Sequence, residues 1–107
     1  MRISDINEDH ILFDNGNKIT FDHCADCCEW NYADFAQLDD IARLHDFDTQ
    51  LQFEAVDGAG FRFGDNQAMF FVPCYSEQNG YYSSDVDIYY NGNAVLNVEA
   101  EMSYDLF

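Results

Sequence analysis

Asp85-Val86-Asp87-Ile88-Tyr89-Tyr90-Asn91-Gly92-Asn93-Ala94-Val95-Leu96-Asn97-Val98-Glu99 is the stretch on which the reading of this chain turns. Val86, Ile88 and Tyr90 alternate with Asp85, Asp87 and Tyr89. Beyond the Asn-Gly break, Ala94, Leu96, Val98, Ala100 and Met102 alternate with Val95, Asn97, Glu99 and Glu101. A period of two sends one set of side chains to a core and the other to water, as in antiparallel strands with one wet face. Asn-Gly accepts the positive φ of a tight hairpin turn. The stretch therefore reads as a hairpin with carboxylates on its wet face.

The same pattern extends outward. Asp14-Asn15-Gly16-Asn17 separates residues 11–13 from 18–21, and Asp57-Gly58-Ala59-Gly60 separates 51–56 from 61–63. Leu51, Phe53 and Ala55 alternate with Gln50, Gln52 and Glu54, whereas Met69-Phe70-Phe71-Val72 does not alternate and reads as a central strand covered on both sides. Leu38, Ile41, Ala42 and Leu44 form an i, i+3, i+4 stripe, with Asp39 and Asp40 ahead of it and Arg43 and His45 at its end. That order suits the helix dipole and predicts one short helix. The expected fold is α+β, a curved antiparallel β-sheet of about six strands with one short helix, in a single domain over residues 1–107.

Composition narrows the function. Hydrophobic residues make up 48% and aromatics 17%, too much for a disordered acidic tail despite a net charge of −17. Twenty-one Asp and Glu stand against only Arg2, Lys18, Arg43 and Arg62. Such a surface repels phosphates and anionic lipids, which excludes direct nucleic-acid binding and membrane binding. A basic protein is the complementary partner, because long-range attraction speeds encounter. A solubility surface is the plainer reading of the same charge. Residues 1–9 lack the basic and apolar regions of a signal peptide, and the longest apolar run, residues 68–74, is too short to span a bilayer. The expectation is a cytoplasmic protein with reduced thiols, although four cysteines would also allow two disulfides.

The densest chemical feature is His23-Cys24-Ala25-Asp26-Cys27-Cys28-Glu29, with Cys74 far along the chain. Cys24-x-x-Cys27 has zinc-knuckle spacing, and His23 and Cys74 would complete a zinc site. Against it, no second Cys pair or His pair completes the pattern, and the knuckle lacks its usual glycine. Asp26 and Glu29 would raise a thiol pKa, the reverse of what a redox Cys-x-x-Cys needs. His10, His23 and His45 form no recognisable pair with a nucleophilic cysteine. The adopted reading is no metal and no cofactor, with the cysteines packed as small hydrophobes. No phosphate loop, nucleophile elbow or zinc-protease motif occurs. Asp57, Asp85 and Asp87 lack EF-hand spacing for calcium. The chain is expected not to be an enzyme.

His23-x-x-Asp26-Cys27-Cys28-Glu29, followed by Asn31-Tyr32-Ala33-Asp34-Phe35 and later by Asn79-Gly80-Tyr81-Tyr82-Ser83, resembles a family of small uncharacterised proteins associated with bacteriophages and bacterial mobile elements. The resemblance brackets roughly residues 15–90 and implies context rather than chemistry. It suggests that His23, Asp26, Cys27, Cys28 and Glu29 meet Asn79, Gly80, Tyr81, Tyr82 and Ser83 as one polar cluster. That cluster reads as a hydrogen-bonded structural knot ahead of a binding pocket.

Phage context and acidity together point to an inhibitor that occupies a basic nucleic-acid-binding surface of a host defence protein, such as a CRISPR effector or a nuclease. The residues expected to carry this are Asp34, Asp39, Asp40, Asp46, Asp48, Asp85, Asp87, Glu99 and Glu101. The alternatives are a metal- or ligand-binding accessory domain centred on the His/Cys cluster, and a structural or virion-associated protein. A monomer or weak homodimer is expected, with residues 94–102 as a sheet-edge strand whose acids discourage pairing.

Overall fold

The computed structural model describes residues 1–22, 30–77 and 84–103. The opening hairpin forms as read. Strand β8 (Asp85–Tyr90) pairs antiparallel with β9 (Asn93–Glu99), with Val86 opposite Val98 and Ile88 opposite Leu96. Asn91 and Gly92 take φ of 53° and 82°, the positive values that their residue types tolerate best. Val86, Ile88 and Val98 are fully buried, so alternation sorts core from surface there, but a bulge at Ile88/Tyr89 sets Ala94 opposite Tyr89 and leaves it exposed rather than on the core face.

Three further strands extend this sheet: β1 (Ile3–Ile6), β2 (His10–Phe13) and β3 (Lys18–Asp22). The order is β1-β2-β3-β8-β9, which leaves β1 and β9 on opposite edges. A second sheet is built around β7 (Met69–Glu77). The hairpin of β5 (Gln52–Val56) and β6 (Gly60–Gly64) pairs with its first half, and β4 (Trp30–Ala33) with its second. The short β10 (Glu101–Ser103) runs parallel to β7.

Both sheets share one core. Ile11, Phe13 and Ile19 come from the first, and Phe61, Phe63, Val72 and Cys74 from the second. Phe47, on the connection between β4 and β5, joins them. Its ring meets Phe13 edge-on at 5.5 Å and stacks on Phe63 at 5.5 Å. Burying a side chain of this size stabilises by roughly 2–3 kcal/mol, so the connection is part of the core through Phe47.

The expected α+β fold, a single curved sheet of about six strands with one short helix, is overturned. Two sheets are present, and no α-helix occurs among the described residues. Where the stripe at residues 38–44 predicted a helix there is a 3-10 turn, Asp40–Leu44, preceded by another at Phe35–Gln37. Asp39 and His45 bound the second turn with ψ of 132° and 136°, so extended backbone stops it on both sides. A run this short does not repay α-helix nucleation. Ala42 and His45 instead donate to carbonyls three residues back, and the Asp39 side chain accepts from the Ile41 amide. Leu38 and Ala42 are buried, but Ile41 and Leu44 stand 59% and 72% exposed, so the apparent stripe is only half real.

Two strand readings also change. Among the described residues, Met69 to Val72 pair only with β6, and Phe71 is 40% exposed, so this segment is covered on one face. The strand expected over residues 94–102 breaks at Ala100, which is buried and donates to the Ser84 carbonyl. Its continuation, β10, joins the other sheet.

Candidate functional site

Inward packing of Val86, Ile88 and Val98 turns Asp85, Asp87, Asn97 and Glu99 to the outer face of the first sheet. Asp85 lies opposite Glu99, and Asp87 opposite Asn97. On the other side of β8, Asp87 lies opposite Asp22. Four carboxylates thus share one face, spaced about 7 Å along a strand and about 5 Å across neighbouring strands. Asn97 Nδ2 donates to Asp85 Oδ2 at 2.8 Å and to Asp87 Oδ1 at 2.8 Å. One amide group with two hydrogens holds both acids in place. Like charges directly opposite each other repel across a pair of strands.

The other acids expected to bind a partner lie elsewhere. Asp34, Asp39, Asp40, Asp46 and Asp48 sit between β4 and β5, on a segment whose second turn packs against β1, at the opposite edge from β9. Most of them have local structural work. Asp34 accepts from Gln37, Asp39 caps its turn, and Asp48 accepts from the Gln50 amide. Asp46 binds the Met1 amine at 2.8 Å, a hydrogen bond that lowers its carboxyl pKa. Glu101 lies on β10 and so belongs to the second sheet rather than beside Glu99. The nine acids named from the sequence therefore lie apart, and only Asp85, Asp87 and Glu99 share this face.

His23, Cys24, Asp26, Cys27, Cys28 and Glu29, and Asn79, Gly80, Tyr81, Tyr82 and Ser83, lie outside the described residues. Cys74 is a buried free thiol on β7, and burial pushes its pKa up to about 12. It packs as a small hydrophobe. No group of three or more metal-ligating side chains occurs among the described residues, and no helix among them is long and apolar enough to cross a membrane.

Sequence reasoning missed a pocket of about 500 Å³ where the two sheets meet. Its described lining is Asn7, Glu8 and Asp9 from the β1–β2 turn, Phe21 from β3, and Tyr32, Ala33, Asp34, Phe35 and Ala36. Phe21 and Phe35 pack with ring centroids 5.8 Å apart. The Tyr32 hydroxyl donates to Glu77 Oε1 at 3.2 Å, and burial together with Glu77 pushes its pKa up to about 12. Tyr32 is therefore a neutral donor at physiological pH. No local motif marks this pocket, because it exists only once β3 is set beside β4.

A family described as a domain of unknown function, DUF7448, matches residues 1–88. No curated protein matches the chain, and no solved structure does. The match agrees with the expectation of an uncharacterised family.

Proposed function

The chain belongs to the DUF7448 family, and we propose that this member is a protein-binding domain whose acidic sheet face docks on a basic surface of its partner. The observation that carries the reading is the Asp22/Asp87 register, with Asp85 and Glu99 beside it on the same ordered face. Like charges held opposite each other repel. Cationic groups of a partner would relieve that repulsion on binding. Carboxylates already fixed by Asn97 lose little freedom when they engage, which favours affinity.

A channel that normally holds nucleic-acid phosphates is the kind of surface this face suits. The finer reading follows from that charge and from the phage-associated resemblance: an inhibitor that occupies such a channel in a host defence protein, a CRISPR effector or a nuclease. Its test is capture from host lysate at low and high salt, with duplex DNA added as a competitor. The expected outcome is a DNA-binding protein retained at low salt and displaced by either treatment. A partner that resists both, or that has no affinity for DNA, contradicts the finer reading.

A further inference from the structure

We propose that the pocket between the β1–β2 turn and the Tyr32-to-Ala36 stretch binds a guanidinium group. Its described lining combines the half-buried Phe21 and Tyr32, the buried Phe35, and the acidic residues Glu8, Asp9 and Asp34. At about 500 Å³ it falls within the range of small-molecule sites and holds a planar cation on an alkyl stem with room to spare.

The chemistry excludes the other ligand classes in turn. Three carboxylates repel an anion. A neutral apolar ligand would bury part of the acidic rim without compensation. A hydrated metal ion gains nothing from an aromatic wall. A cation does, because ring faces attract positive charge. Guanidinium fits better than ammonium, since its plane stacks on a ring while its edge forks two hydrogen bonds to a carboxylate.

The rim is also held ready. Asn7 Oδ1 accepts from the amides of Asp9 at 2.8 Å and His10 at 3.0 Å, and the Asn7 amide donates to the His10 carbonyl at 3.1 Å. Glu8 and Asp9 are exposed on this fixed turn, and neither carboxylate has a hydrogen-bond or ion-pair partner among the described residues. Gln37 holds one oxygen of Asp34 at 2.8 Å, which leaves the other for a ligand. None of the four Lys and Arg residues is among the described lining of the pocket.

A guanidinium could come from an arginine side chain of a protein or from a free guanidino compound. The test titrates the full chain with N-acetyl-arginine-N-methylamide, with agmatine and with the neutral citrulline counterpart of the first probe. It follows the ring resonances of Phe21 and Tyr32 and the amide resonances of Glu8 and Asp9. Both guanidinium probes should saturate with Kd on the order of 1 mM, while the citrulline probe leaves the spectrum unchanged. Preference for the blocked arginine assigns the pocket to a protein side chain, and preference for agmatine to a free compound. Glu8→Gln and Asp34→Asn should each weaken binding by about fivefold, and Asp57→Asn in the exposed β5–β6 turn should not. Glu8 lies on an exposed turn, so its variant reports even if Asp34→Asn disturbs the fold. Equal shifts from citrulline, or unsaturable shifts spread over all carboxylates, would overturn the proposal. No partner protein enters this test, so its outcome is independent of the docking role of the acidic sheet face.

Discussion

Asp65 accepts hydrogen bonds from His45 Nε2 at 2.9 Å and from the amides of Asp48, Gln67 and Ala68. Burial alone would raise its pKa, but these four donors outweigh that effect and bring it to about 2, from an ordinary 3.8. A folded pKa below the unfolded one means stability that is complete above about pH 4 and is lost as pH falls toward 2. The contribution at neutral pH is about 2 kcal/mol. Asp65→Asn should lower stability by about that amount at pH 7 and flatten its decline between pH 4 and 2, read from urea midpoints across pH. Gly60 makes a different demand. A Cβ there would lie 2.1 Å from the Val72 carbonyl oxygen, because β6 and β7 close tightly at that point. Gly60→Ala should cost about 2–3 kcal/mol in the same assay. The sequence showed Gly60 as part of a turn, whereas its close contact with Val72 comes from long-range pairing. Asp65 gave no sign at all, since His45 lies 20 residues away and only the fold brings them together.

At the scale of elements, legibility followed alternation. Val86, Ile88 and Val98 were assigned to the core from period alone, and all three are fully buried. The method failed where period was short or ambiguous. The stripe at residues 38–44 fits a helix as well as it fits a 3-10 turn, and only the extended residues on either side decide between them. Ile41→Ser and Leu44→Ser should each change stability by less than about 0.5 kcal/mol, as exposed substitutions do. On an amphipathic helix each would cost about 1–2 kcal/mol. Thermal melts of the two variants separate these cases. The break at Ala100 was equally hidden, because alternation runs on through Glu101 while the backbone passes to the other sheet.

For the molecule as a whole, the charge of −17 was legible at once, but its arrangement was not. Period-two reading placed Asp85, Asp87 and Glu99 on one face correctly. It missed Asp22, because nothing local says that β3 pairs with β8. It counted alongside them as partner contacts the acids between β4 and β5, three of which bond within their own segment. A docking face kept for a partner should oppose stability. Asp87→Asn is therefore expected to leave stability unchanged or raise it by about 0.5 kcal/mol at low ionic strength, through relief of the Asp22 repulsion. The central claim is that this face, rather than net charge, recognises the partner. Its most direct measurement is the affinity for the captured partner of two variants that each remove two charges, Asp85→Asn/Asp87→Asn and Asp40→Asn/Asp57→Asn. The account predicts that the first loses at least about tenfold in affinity, since it removes charges at the contact, while the second stays within about twofold, as rim or remote charges do. Equal losses from both pairs would show that total charge drives binding, and would contradict the assignment of the sheet face.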